Sequence, residues 1–497
     1  MKGKTMNNHR IPALILAALL SASAFAACGE SAGAPPAGDT PPADGQQDIS
    51  AEETTTEDPN GLSLPDDLDF GGDTIMFLTE HSSGYDWYTS KEIYAEQENG
   101  ELFNDAVYRR NIVVEDRLNV HIAQTNTDTA VNVAQKSLSA GDTEYDVIMP
   151  YINSNIKLVQ QGLCYNLYDI PYLDLEKPWW DQRANENMTI GGKLYMTTGD
   201  ISILDNECTM VMFFSKKMVS DYALTSPYEY VTGGTWTLDT LNSMVGAVFL
   251  DVNGDGKYNK DDQYGISIAG NAPISFYFAA GERIVDTDES GELQLMMNSK
   301  RAPEVIEKVI NTCLHPEGYN KINKFSGGFD EACKMFLDGR LMITTFALVD
   351  INGLRDAEFE FGILPYPKFD EAQQDYNSLI SSGLSPATSV PYNVKNKEMS
   401  GAVLEALAYE SVDTLTVAYY DNALKTRYVR DEESGAMLDI IFATRVYDLG
   451  FMMDVGGLSS LVGNLYNKKS TDFASAYAKA EPKAIEQLDT LKESLAG

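Results

Sequence analysis

Asp73-Thr-Ile-Met-Phe-Leu-Thr79, Asn119-Val-His-Ile122 and Tyr145-Asp-Val-Ile-Met149 are three short apolar runs, and what separates them decides the fold. Each reads as a strand, the last one stopped by Pro150. Asn104 to Leu118 carries Val107, Ile112, Val113 and Leu118 among charges, and Asp128 to Ser139 is a second helix-like stretch that ends at Ala140-Gly141. Strands alternating with helices at this spacing imply an α/β lobe with a largely parallel sheet. Ligands of such sheets sit beyond the carboxyl ends of the strands.

Further along, Cys208-Thr-Met-Val-Met-Phe-Phe214 is a strand, and Leu341-Met-Ile-Thr-Thr-Phe346 is another, after a helix from Phe329 to Leu337. Both look like crossings between lobes. The spacing predicts a helix over 236–249 capped by Thr235 or Thr237, a strand over 265–269 and an aromatic helix over 273–280. From about Glu398 the chain is mostly helical, with Leu404, Leu407, Leu415, Val417, Leu424, Met437, Leu438 and Ile441 as its apolar stripe. The chain has 497 residues, more than one core normally serves, so two lobes are expected.

The amino terminus is an export signal. Lys2, Lys4 and Arg10 precede the apolar run Ile11 to Leu20, which is too short to span a bilayer and leads through small residues to Ala26-Ala27-Cys28. The placement of Cys28 resembles a bacterial lipobox, with residues 1–27 removed and the cysteine acylated. Phe25 stands where that motif usually has Leu, and ordinary cleavage after Ala24-Phe25-Ala26 is the alternative. Residues 28–70 contain Gly, Ala, Pro, Thr, Ser, Asp and Glu without Lys or Arg, and read as a disordered acidic linker reaching on the order of 35 Å. No second apolar stretch reaches the length of a membrane span, so the body is expected to be soluble, with the membrane reached by the lipid alone. The net charge of −37 makes nucleic acid an unfavourable partner, since binding it needs clustered Lys and Arg.

Asp251-Val-Asn-Gly-Asp-Gly-Lys-Tyr-Asn-Lys-Asp-Asp262 has the oxygen spacing of a calcium loop. Asp251, Asn253, Asp255 and Asp262 would ligate Ca2+ through side chains, Lys257 through its carbonyl, and Asn259 directly or through water. Asp262 stands where Glu is usual, and the alternative is an acidic turn. Catalytic signals are weak: the chain after residue 27 has only His81, His121 and His315, with no phosphate-binding loop and no nucleophile elbow. Paired carboxylates keep a secreted glycoside hydrolase as an alternative. Aromatic residues beside polar ones, at Tyr85 and Trp87, Tyr151 with Asn153, Trp179-Trp180-Asp181 and Phe276-Tyr277-Phe278, suit the apolar faces and hydroxyl edges of sugars. Core packing is the alternative for each. Cys164, Cys208, Cys313 and Cys333 read as buried thiols, with Cys313 and Cys333 the one pair worth testing for a disulfide.

Tyr145-Asp-Val-Ile-Met-Pro150, Gly192-Lys-Leu-Tyr195, Phe336-Leu-Asp-Gly-Arg-Leu-Met342, Phe361-Gly-Ile-Leu-Pro-Tyr-Pro-Lys368, Ser381-Ser-Gly383, Arg430-Asp-Glu-Glu-Ser434 and Met437-Leu-Asp-Ile-Ile441 occur in a telling order. On them the body resembles the carbohydrate-binding, maltose-binding-protein-like group of extracellular solute-binding proteins of bacterial ABC importers. The resemblance implies an α/β, two-lobed, type II periplasmic-binding-protein-like fold with crossing hinge strands and a mainly helical C-terminal segment. It implies a first lobe of residues 71–205 and 341–388, and a second of 206–340, bearing the loop 251–262, and 389–497. Hinges would lie near 205–209, 341–345 and 381–389. By the same likeness Asn153, Asn206, Glu207, Tyr277, Thr345 and Phe346 would join Tyr85, Trp87, Tyr151 and Phe276 in holding the ligand. The resemblance further implies a monomeric, non-enzymatic receptor that closes on a small solute, most readily a sugar, and delivers it to an ABC permease from the outer face of the cytoplasmic membrane. A surface adhesion module is the other alternative.

Overall fold

The computed structural model describes residues 61–268, 270–288, 291–315, 318–319, 328–420 and 432–495. The signal segment, Cys28 and most of the acidic linker lie outside them.

Three strands build the first sheet: β1 (Asp73–Glu80), β2 (Val120–Thr127) and β3 (Val147–Met149). Helix α1 (Leu102–Leu118) links β1 to β2, and α2 (Ala130–Ala140) links β2 to β3. Glu101 caps α1 by accepting the Asn104 N–H, and left-handed Asn119 ends it (φ 49°); Gly141 ends α2 (φ 78°). Both pairings of β1 are parallel and the strand order is β2-β1-β3, so connections leave β1 in opposite directions. That makes the gap between β1 and β3 the switch point of the sheet, where a crevice must open. Helix α3 (Ile152–Gln160) starts directly beyond it.

The remaining strands are β4 (Met210–Ser215), β5 (Tyr264–Ser267), the hairpin β6 (Val285–Thr287) and β7 (Leu293–Leu295), β8 (Gly318–Tyr319), β9 (Leu341–Ala347), β10 (Phe361–Leu364), β11 (Ser378–Leu379) and β12 (Arg445–Val446). Five of them form the second sheet in the order β10-β4-β9-β5-β8. Strand β4 is antiparallel to both neighbours. All residues of β4 and β9 are buried, as expected for strands covered on both faces. Met212 and Phe214 face one apolar cluster while Val211 and Phe213 face another, the two-residue alternation of a strand.

Several expected boundaries shift. Leu64 is buried and the Phe70 N–H donates to the Leu118 carbonyl, so residues 61–70, expected in the linker, pack on the body. Leu341–Ala347 does not return to the first lobe, as its apolar character suggested; it pairs with β4 and β5 at the centre of the second sheet. The return comes at residues 380–391. There Ile380 bridges Thr209, Thr388 bridges Thr197 and Ser389 bridges Ile148, which makes 205–209 and 380–389 the paired passages and removes 341–345 as a hinge. Residues 389–413 also stay with the first lobe: the helix Lys397–Asp413 packs on α1, and its Glu405 accepts the Trp180 indole N–H at 2.9 Å. The helices Glu432–Ala443, Leu461–Lys468 and Phe473–Leu495 then pack against second-lobe elements, in line with the expected helical C-terminus.

Candidate functional site

Glu80 closes β1 at the mouth of the crevice, 5% exposed, and its Oε2 makes no hydrogen bond. Burial pushes its carboxyl up to about 7, against the pull of the Tyr151 and Ala130 amides at the starts of α3 and α2. Beyond β3, the Tyr151 hydroxyl donates to the Tyr88 carbonyl (3.1 Å), and the Asn153 and Ile152 amides donate to the carbonyls of Ser382 (3.0 Å) and Ser385 (2.9 Å). Gly383 lets that loop lie close: a Cβ there would stand 3.3 Å from Asn153 Nδ2. The second passage between the lobes thus sits directly on the crevice.

Across it runs an aromatic seam. The short turn Asp86–Tyr88 presents Tyr85 stacked on Trp87 (4.7 Å, 19°). Tyr85 also meets Phe329 edge-on at 5.5 Å, and Phe329 meets Phe346 at 4.8 Å. The first two rings belong to the first lobe and the last two to the second. Polar contacts follow the same line, with the Tyr85 hydroxyl donating to Asp330 (3.2 Å) and the Tyr88 hydroxyl to Asp350 (2.7 Å). Burial pushes the Asp350 carboxyl up to about 6, although Tyr88, the Ala347 amide and the nearby Trp87 indole favour its charge. The buried Trp87 Nε1 itself lacks a partner of hydrogen-bond geometry. These rings and orphan polar atoms can exchange contacts with each other for contacts with a ligand's apolar faces and hydroxyl edges.

Beside the first passage lies a buried ion cluster. Arg445 on β12 reaches Asp181 at 2.7 Å and Asp205 at 3.6 Å, and also donates to the Asn206 side chain. Tyr447 donates to Asp181 (2.7 Å) and Thr198 to Asp205 (3.1 Å). Burial raises Asp205 to about 7, Arg445 opposing the shift. Glu207 keeps some solvent contact, yet protein surrounds it closely enough, with Glu92 nearby, to raise it to about 8.

Tyr85, Trp87, Tyr151 and Asn153 therefore lie around the crevice and the seam, Phe346 adjoins them through Phe329, and Glu207 lies at the first passage in the field of Glu92 and Asp205. The others lie elsewhere. Phe276 and Tyr277 lie on a helix, Ala272–Ala279, that is buried on every side, and both rings are fully enclosed in the second lobe. Thr345 is buried within the sheet and donates to the Ser267 carbonyl (3.0 Å). Asn206 is committed to Arg445. Trp179 and Trp180 are core residues, 2% exposed each. Sequence reasoning missed Glu80, Tyr88, Phe329, Asp330 and Asp350, whose only signal was position next to strand or helix ends.

In the loop 251–262 the acids cap backbone amides. Asp251 accepts from Gly254 and Gly256, Asp255 from Lys257, and the fully buried Asp262 from Val252 and Asn259. Among the described residues no three Asp, Glu, His or Cys side chains converge as a metal group. Cys164, Cys208, Cys313 and Cys333 are free and buried, Cys313 and Cys333 in separate apolar clusters.

Residues 117–403, more than half of the chain, match the family described as bacterial extracellular solute-binding protein. The chain belongs to this family. It is a binding protein and not an enzyme, and nothing favours the hydrolase or adhesion alternatives. No curated protein sequence matches it. Its fold is shared with a cyclo/maltodextrin-binding protein complexed with maltotetraose (TM-score 0.54, 13% identity, 85% of this chain and 97% of that one). It is also shared with apo RafE of Streptococcus pneumoniae (0.55, 15%, 83% and 98%). An ABC substrate-binding protein of Listeria monocytogenes in complex with cycloalternan is similar too (0.52, 12%, 86% and 99%). Among the described residues no helix is long and apolar enough to cross a membrane.

Glu80, Asp205, Glu207 and Asp350 all have folded pKa values above the ordinary carboxylate range, so the folded solute-binding body holds protons that the unfolded chain releases. Stability should fall as pH rises from about 5 to about 8. Arg445→Met, which leaves Asp181 and Asp205 without their cation, should cost about 3–5 kcal/mol at the upper pH and less at the lower. Urea unfolding at both pH values checks this; a midpoint that rises with pH, or an equal loss at both, contradicts it.

Proposed function

We propose that this chain is the receptor of a bacterial ABC importer, capturing a sugar or oligosaccharide between its lobes and handing it to a membrane permease. The observation that carries the reading is the seam Trp87, Tyr85, Phe329 and Phe346, contributed by both lobes and flanked by the orphan Glu80 Oε2 and Trp87 Nε1. A flat aromatic wall beside unpaired hydrogen-bonding atoms matches the two-sided surface of a pyranose. Proteins of the same fold support it, since two of those named above were solved with maltotetraose and with cycloalternan. Closure follows from the two paired passages at 205–209 and 380–389: ligand contacts made to both lobes at once exist only in the closed form and shift the equilibrium toward it. Trp87→Ala should weaken saccharide binding by at least about tenfold with the melting temperature unchanged. Calorimetry against a panel of mono- and oligosaccharides checks it, and unchanged affinity removes the seam from the site.

Retention near the permease would come from acylation of Cys28, a reading supported by the charged start, the apolar run and the small residues before it. The mature protein extracted from membranes should have an intact mass starting at Cys28 plus lipid; a chain starting at Ala27 without lipid contradicts the anchor.

The loop 251–262 would take Ca2+ as a structural staple. Its donors are all oxygen, as that ion requires, and its turn is already folded by the aspartate caps; Asp251, Asp255 and Asp262 would have to turn inward from them. Excess Ca2+ over chelator should raise the melting temperature by roughly 2–4 °C, and Asp262→Asn should abolish the rise. No shift in the unsubstituted protein leaves the loop an acidic turn.

A further inference from the structure

Tyr85 lies flat on one face of Trp87. The rings stack at 4.7 Å with their planes 19° apart, and Trp87 itself is half-buried against apolar core residues. The same Tyr85 ring meets Phe329 edge-on at 5.5 Å, and its hydroxyl donates to Asp330 Oδ1 at 3.2 Å. Burial and the Asp330 charge hold the phenol above its ordinary value, so the proton stays on the tyrosine and the bond runs in that direction. One side chain thus bridges an indole of the first lobe to a ring and a carboxylate of the second.

Those contacts are the ones a pyranose can make. A phenol and a pyranose are both six-membered rings with apolar faces and a hydroxyl on the edge, able to stack on an indole while donating to a carboxylate. Tyr85 is also lightly held. It is 38% exposed and Asp330 is exposed, so its contacts can be given up without opening either core. Tyr88 is the contrast within the same turn: its ring is 6% exposed and its hydroxyl bond to Asp350 is buried, which makes it part of the fixed framework.

We propose that Tyr85 is a stand-in for the solute: in the empty receptor its ring occupies the place on Trp87 that one sugar ring takes on binding, and Asp330, released by the Tyr85 hydroxyl, then accepts a hydroxyl of that sugar. This rests on the saccharide reading of the cleft. Asp330 is the specificity residue, requiring a free hydroxyl on the edge of the stacked ring, and Tyr85 sets the affinity by competing for the same place. A solute that reaches from Trp87 to Asp330, as Tyr85 does, ties the two lobes together.

Calorimetry on the full chain with maltotetraose, cellotetraose and glucose as probes tests the exchange. Tyr85→Ala should tighten binding at least about threefold, and Tyr85→Phe, which keeps the stacked ring and drops the bond to Asp330, should tighten it by less. Asp330→Asn should weaken binding about tenfold in the Tyr85→Ala background but less than about threefold by itself, because alone it also loosens the competitor. Weaker binding by both Tyr85 variants makes Tyr85 a wall on which the solute rests, and equal losses from Asp330→Asn in the two backgrounds remove Asp330 as the partner of a sugar hydroxyl. Either result overturns the proposal and leaves the saccharide receptor standing. If no probe binds any variant, the saccharide reading falls and this one with it.

Discussion

Arg445 holds the molecule's two-lobed arrangement together at one point. Its guanidinium bonds Asp181 and Asp205 on the first-lobe side, while its backbone pairs with Ser378 on β11, beside the passage that returns to the first lobe. All three charged side chains are close to fully buried, at 12%, 4% and 2% exposure. A buried ion cluster of this kind contributes little net stability over an apolar replacement, because desolvation offsets most of the attraction. What it does contribute is position. Asp205 opens the first passage, Asn206 beside it is fixed by the same guanidinium, and Thr209 a few residues on pairs with Ile380 of the second. The spacing between the crevice of the first sheet and the aromatic wall of the second depends on that junction.

From there the site is a matter of what each lobe brings to the seam. The first lobe contributes the end of β1, the start of α3 and the turn carrying Tyr85 and Trp87; the second contributes the end of β9 and the start of the helix Gly328–Leu337. Rings from both sides touch, and phenol hydroxyls from one side bond carboxylates of the other. Each contact is modest on its own, about 0.5–1.5 kcal/mol for an aromatic pair. Contacts of that size can be replaced by ligand contacts without disturbing either core, which is what a cleft that opens and closes requires.

The first lobe was legible in the sequence because its strands and helices alternate, and alternation dictates both a parallel sheet and the place of its crevice. The second lobe was legible only in part. Leu341–Ala347 is apolar on both faces, so its pattern says that it is buried and not which sheet buries it. Phe276 and Tyr277 show the same ambiguity in a helix: an aromatic run that is apolar all round belongs to a core, whereas a site aromatic needs a polar side. Tyr85, Trp87, Tyr151 and Asn153 stand out in the sequence because aromatic and polar residues adjoin there in loops. Phe329, Asp330 and Asp350 do not, since they reach the seam only through partners more than two hundred residues away in sequence.

The central claim is that solute binding brings the lobes together across Trp87, Tyr85 and Phe329. Pulsed electron paramagnetic resonance tests it most directly, with spin labels on Gln135→Cys in the first lobe and Lys334→Cys in the second, both exposed, while the four native thiols of the body are buried. Saturating saccharide should replace a broad, longer distance distribution with a single shorter one. A distribution that is the same with and without bound saccharide would contradict capture by lobe closure.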